Sequence, residues 1–219
     1  MSKRDLFVVV PDLDAENTMK TLLTQRQEAL GIVLDFIPAP PPQGDLLRYS
    51  GRDAGCYLDA VELLRPPQRT HNHALICFDR HGSGAVRGSS EDIECEVEEN
   101  LRRSGWPESS TAAIIIDPEL EVWVWADSVE VANALGWNND MQTLREHLYK
   151  KGLWVPEQMK PREPKEAMQE SVRAKRKPGG TGPLFAQLAK NVGLRSCQDR
   201  SFNKFRAILQ QWFPPIVSG

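Results

Sequence analysis

Asp79 closes the apolar run His73-Ala74-Leu75-Ile76-Cys77-Phe78 and is followed by His81 and then by Gly82-Ser83-Gly84. A carboxylate that ends a buried-type strand stands at the mouth of a sheet, where parallel strands open into a crevice. An imidazole two residues on suits metal ligation or general acid/base work. Asp12, Asp14 and Glu16 follow a second such run, Leu6 to Val10. Asp12, Asp14 and Asp79 therefore form an oxygen-only candidate set for magnesium, which prefers hard ligands and keeps several waters. Glu16, Asp79 and His81 are the candidates for activating water in phosphodiester hydrolysis. A third group follows TAAIII, where Asp117, Glu119, Glu121 and Asp127 are interleaved with Trp123 and Trp125. Glu121 and Asp127 are the candidate site residues there.

Each candidate has a structural alternative. Asp14 reads as the N-cap of the helix that follows it, and this is the favoured role. Asp79 reads as a loop cap that accepts backbone N–H bonds, with His81 in solvent. Trp123 reads as core and Glu119 as a solvated first-turn acid. The Gly82-Ser83-Gly84 loop lacks the Lys-Ser/Thr of a phosphate-binding loop and is not a GxSxG nucleophile turn. His71 and His73 lack a third ligand nearby. Cys56, Cys77, Cys95 and Cys197 are scattered without a CxxC, so neither a zinc knuckle nor a disulfide scaffold is suggested.

Alternating elements must position these groups. Leu6–Val10, 32–37, His73–Asp79 and Thr111–Ile116 read as strands. Helices are expected over 14–30, with Gly31 as the stop, over 54–64 and over 90–103, where Ser89 or Ser90 is the cap. Asp127 or Ser128 is expected to cap VEVANALG, and Asn139 or Asp140 a helix through Lys150. Strand–helix alternation implies an α/β fold, a mostly parallel Rossmann-like sheet with helices on both faces. Pro38 to Pro42 is too stiff and donor-poor for regular structure.

With 219 residues and 40% hydrophobic content the chain fits one α/β domain with a small appendage. No run is long and apolar enough for a membrane span, and the start lacks a signal-peptide pattern, so a cytoplasmic location is expected. The net charge of −3 hides a division. Residues 1–149 carry 13 Lys and Arg against 25 Asp and Glu, whereas residues 150–219 carry 14 against 5. The expected organisation is an α/β domain over 1–152, a basic Pro/Gly-rich linker over 153–182 holding at most one polar helix, and a helical segment over 183–219. Arg173, Lys175, Arg176 and Lys177 are the candidate nucleic-acid contacts; the basic tail fits DNA, an acidic partner protein or the chain's own acidic body. The aromatic side of the last segment, Phe185, Phe202, Phe205, Trp212 and Phe213, is expected to bury itself against the body.

The succession VVVPDLDAENTMKTLL, LICFDRHGSG and PELEVWVWADS resembles the Toprim-like proteins of unknown function found among bacterial defence genes, relatives of the overcoming-lysogenization-defect nucleases. The resemblance covers about the first 150 residues, and the last motif is its most specific part. It implies a Toprim-like fold in which an acid after the first strand and an Asp-x-Asp pair after the third hold magnesium. Taken with the body, GPLFAQLAKNVGLRSCQDRSFNKFRAILQQWFP looks like a small component of a methylation-associated antiviral defence system. Two positions depart from the family pattern. Pro11 stands where the family has its first-strand acid, with Asp12 displaced by one, and His81 stands where the second Asp would be. Asp79, Glu121 and Asp127 carry over. The expectation is a Toprim-like defence subunit with a degenerate metal site, working through sister proteins or DNA; the alternative is a magnesium-dependent nuclease.

Overall fold

The computed structural model describes residues 2–125, 128–158, 160–175, 181–194 and 197–215. Strand β1 spans Arg4–Val10, β2 Leu46–Arg48, β3 His71–Asp79 and β4 Thr111–Ile116. They form an all-parallel sheet in the order β2-β1-β3-β4. The architecture is α/β and Rossmann-like. Both sheet faces are buried, as continuous apolar runs such as Leu6–Val10 and Leu75–Phe78 require. One face carries Phe7, Val9, Ala74, Ile76, Phe78, Ala113 and Ile115 against helices α3 (Arg52–Leu58), α4 (Ala60–Leu64) and α5 (Ser90–Arg103). The other carries Leu6, Val8, Val10, Leu75, Cys77, Ile114 and Ile116.

That second face is covered largely by the C-terminal third. Helices α1 (Leu13–Gln25), α10 (Thr181–Asn191) and α11 (Arg200–Trp212) share its core, with Phe185, Phe202 and Phe205 fully buried. The expected docking of the aromatic tail on the body is what the fold contains. Arg26 donates to the carbonyls of Ala189 and Val192 at 2.9 and 3.0 Å, satisfying the open end of α10. Between body and tail lie the short helices α6 (Glu121–Val124) and α7 (Val129–Ala134), then α8 (Met141–Lys150) and α9 (Pro164–Ala174).

Four expectations need correction. Residues 32–37 are not a strand, and α1 is followed by a single extra turn, α2 (Gln27–Leu30), that stops at Gly31. The backbone of that stretch finds scattered partners instead, Leu34 N–H the Gln27 side chain, Ile37 N–H the Asp45 carboxylate and Val33 N–H the Phe213 carbonyl. The second strand forms beyond the prolines, at Leu46–Arg48. Asp12, not Asp14, caps α1, accepting from Ala15 N–H at 2.9 Å. The helix expected over 54–64 is broken at Asp59 into α3 and α4 and leaves Leu58 76% exposed. The expected linker contains α9, whose Pro164, Ala167, Met168 and Ser171 are buried, so packing does not stop at 153 or 183. Ser89 caps α5 in a capping box with Asp92, Ser128 caps α7 and Asp140 caps α8.

The open side of β4 is closed by charge. Ala113 and Ile115 donate their N–H groups to Glu98 and Glu94 of α5, each at 3.0 Å. Their carbonyls accept from Lys204 and Arg200 of α11 at 3.0 and 3.3 Å. Glu94, 4% exposed as a side chain, completes the ladder by pairing with Arg200 at 2.8 Å and Lys204 at 3.1 Å. Glu94→Ala leaves the buried Ile115 N–H without its acceptor and removes one of the two carboxylates that pair with each of Arg200 and Lys204, so it should cost about 3 kcal/mol. Chemical denaturation checks this: the midpoint should fall well below that of wild type, with Glu94→Gln in between.

Candidate functional site

The carboxyl ends of all four strands deliver acids to one place. Asp12 follows β1 after Pro11, Asp53 lies in the first turn of α3 after β2, Asp79 is the last residue of β3, and Glu119 and Glu121 follow β4. Asp12, Asp14, Asp53, Asp79 and Glu119 line a crevice of about 840 Å³ together with Arg48, Tyr49, Arg52, His81 and Lys165. Its position between β1 and β3 is where the strand order reverses, the usual ligand site of an open α/β sheet.

Local geometry explains the floor. Asp53 Oδ1 accepts the backbone N–H of Asp79 at 2.8 Å, tying the ends of β2 and β3 together. Gly82, at φ +94°, is needed because a Cβ there would lie 3.1 Å from Asp53 Oδ2. The Gly-Ser-Gly loop is folded back on itself. Ser83 Oγ donates to the Arg80 carbonyl at 2.9 Å, and the Arg80 guanidinium donates to the carbonyls of Ala85 and Gly88.

Crowding acids out of water raises their proton affinity. Burial, reinforced by the charges of Asp53, Glu121 and Asp12, holds the Asp79 carboxyl well above the ordinary aspartate range. Asp53 is raised by burial and by Asp12, with the Asp79 N–H opposing. Burial lifts Glu121 to about 7, against the pull of its own backbone N–H and of Lys165. Lys165, from the first turn of α9, bonds Glu119 at 3.0 Å at the crevice mouth. Partial burial works against its charge, but Glu119, Glu121 and Asp79 outweigh it and hold the ammonium above its ordinary value.

The sequence-derived candidates divide. Asp12, Asp14, Asp79 and His81 do line the crevice, with His81 exposed. Glu121 is 6% exposed beside it and within its field. Glu16 points to Arg48 at 3.0 Å and is not among the lining residues. Asp127, Arg176 and Lys177 lie outside the described residues. Arg173 pairs with Glu170, and Lys175 sits 4.0 Å over the Trp137 ring, so both are engaged within the chain. His71 is bound to buried Asp45 at 2.8 Å, and His73 stacks on Trp212. Sequence reasoning missed Asp53, whose strand was misplaced, and Lys165, whose helix was read as linker.

Several of the crevice acids are already partly engaged within the chain. Among the described residues, no three Asp, Glu, His or Cys side chains stand close enough to share one ion. Asp12 already uses one oxygen as a helix cap and Asp53 one on a backbone amide. Among the described residues no helix is long and apolar enough to cross a membrane. No protein-family model, curated protein or solved structure matches the chain.

The raised Glu121 sets a pH dependence. Its folded value of about 7 lies above the ordinary 4.5, so the folded state holds the proton more tightly. Its contribution is complete below pH 4.5 and is lost as pH rises to about 7, a fall of roughly 3 kcal/mol. Denaturation at pH 5 and pH 7.5 should therefore give a smaller stability difference for Glu121→Gln than for wild type, shifted in the direction of greater relative stability at high pH.

Proposed function

We propose that the chain is a Toprim-like subunit of a bacterial antiviral defence system whose acidic crevice is compensated from within by Lys165, and that it acts through contacts and not through hydrolysis. The observation that carries this reading is the Lys165 ammonium at the crevice mouth, bonded to Glu119 and within the field of Asp79 and Glu121. An ammonium there does part of the electrostatic work of a metal and offers no coordination to a phosphate's leaving oxygen. His81 and Pro11, standing where the resembled family has acids, support the same reading. Charge favours a protein partner over DNA. Arg200 and Lys204 are committed to α5, Arg173 to Glu170, and Lys175 to Trp137.

One observation favours a second reading, a magnesium-dependent nuclease. Even with Lys165 present, burial and then neighbouring acids keep Asp79, Asp53 and Glu121 above their ordinary values, and a divalent cation among them would favour their charged forms. Plasmid DNA incubated with Mg²⁺ or Mn²⁺ separates the two. Wild type should leave it intact, and cleavage that Asp79→Ala abolishes would overturn the contact reading.

Removing the internal cation tests compensation directly. Lys165→Gln should bind Mn²⁺ at least about tenfold more tightly than wild type by calorimetry, a change of about 1.4 kcal/mol. Equal affinities would show that Lys165 plays no such part.

A further inference from the structure

The wall of the crevice opposite Asp12 and Asp79 is the segment Arg48-Tyr49-Ser50-Gly51-Arg52-Asp53, which joins β2 to α3. Arg48, Tyr49, Ser50, Arg52 and Asp53 all line the cavity. Tyr49 is held there from three sides. Its backbone N–H donates to the Val10 carbonyl at 2.8 Å, and its hydroxyl donates to Asp59 at 2.7 Å. The ring lies in a slot that only glycines leave open, since a Cβ on Gly51 or Gly55 would fall 2.5 or 2.7 Å from its Cε1. A tethered aromatic ring on a cavity wall is a stacking surface prepared in advance.

Arginines flank that ring. Arg48 is oriented by Glu16 at 3.0 Å, and Arg52 is exposed at the lip with φ +56°, a left-handed conformation that a non-glycine residue rarely keeps. Asp12, at the end of β1, and Asp53, on the same segment as the ring, offer carboxylate oxygens. The volume, about 840 Å³, is that of a small-molecule site and far exceeds what an ion needs. An aromatic face, guanidinium groups and hydroxyl-accepting carboxylates are the three chemistries that a nucleotide's base, phosphate and ribose require.

We propose that the crevice is a nucleotide-binding site, with the base stacked on Tyr49, the phosphate met by Arg52 and Arg48, and the ribose hydroxyls donated to Asp12 and Asp53. The acids outnumber the free cations, so the phosphate enters with its own divalent ion, which supplies the charge balance without a resident metal. The site's occupant then deepens the contact-making reading of the same crevice, on which it rests. The chemistry is shared by a free nucleotide and by one unit of a single strand.

Calorimetry with ADP, ATP and a short single-stranded oligonucleotide, each with and without Mg²⁺, tests it. Binding is expected with Mg²⁺ and weakened by its omission. Tyr49→Ala should weaken it about tenfold or more, as loss of a base stack does, while Tyr49→Phe, which keeps the ring, should bind nearly as wild type. Gly51→Ala has an allowed backbone, at φ −72°, and should act in the same direction as Tyr49→Ala by displacing the ring. Arg52→Ala should weaken ADP and leave adenosine unchanged. Binding of free nucleotides identifies a small-molecule ligand; Tyr49-dependent binding of the oligonucleotide alone identifies a single strand. No binding by any probe, or binding indifferent to Tyr49→Ala and Arg52→Ala, overturns the proposal. Asp79-dependent plasmid cleavage would remove the contact reading yet leave these variants to decide nucleotide binding separately.

Discussion

The ion ladder along β4 is the interaction on which the rest of the molecule leans. A parallel sheet cannot leave the outer N–H and C=O groups of an edge strand without partners inside packed protein, because each unsatisfied group costs free energy. Here the partners come from two helices far apart in sequence. Glu94 and Glu98 accept, Arg200 and Lys204 donate, and the acids and bases then pair with one another. The side chains act as a substitute fifth strand, and they weld the C-terminal helix to the body. The uneven charge of the two halves of the chain is thereby turned inward. Part of the basic tail is spent on the acidic body that the sequence places first.

Once α11 is fixed against β4, the tryptophans after that strand have a partner. Trp123 donates to Ser201 at 2.7 Å and meets Phe202 and Phe205 with ring centroids 5.3 Å away. Trp125 packs on Trp154 in the same core. The turn that carries Glu119 and Glu121 is therefore held rigidly over the sheet end, which keeps Glu121 buried with no salt bridge of its own among the described residues. Lys160 donates to the Val122 carbonyl and Lys165 to Glu119, so α9 returns to the same turn. Structure and electrostatics converge there. The residues that fasten the C-terminal third also set the field of the crevice.

Much of this was legible in the sequence because burial dictates it. Three of four strands, the parallel topology and each of three helix caps to within two neighbouring residues follow from apolar runs and side-chain oxygens at their starts; the structure selects Ser89, Ser128 and Asp140. The second strand was not legible. Leu46–Arg48 is three residues long, while 32–37 has the stronger β pattern and lacks a neighbour to pair with. A strand placed at 32–37 hides Asp53, because nothing in the sequence then marks Leu46–Arg48 as a strand end for it to follow. It hides Tyr49 and Arg52 for the same reason. Asp14 looked like the cap because it precedes the helical spacing, but Pro11 ends β1 early and Asp12 reaches the open N–H groups first. Lys165 was hidden by composition: α9 is polar enough to resemble a linker, and its buried side shows only when α8 and α6 are placed beside it.

The crevice has a property that none of its residues has alone. Asp79 and Glu121 hold protons tightly because each is buried among like charges, and Lys165 relieves this only in part. A cation entering the crevice, whether carried by a phosphate or borne on a partner's side chain, lowers the energy of the charged carboxylates and so must release those protons. Linkage makes the effect reciprocal. Raising the pH through about 7, where Glu121 gives up its proton, strengthens cation binding and weakens the empty fold together. The acids that look like a degraded metal site are in this sense a store of destabilisation that occupancy discharges. A crevice of this kind favours its occupied state over its empty one.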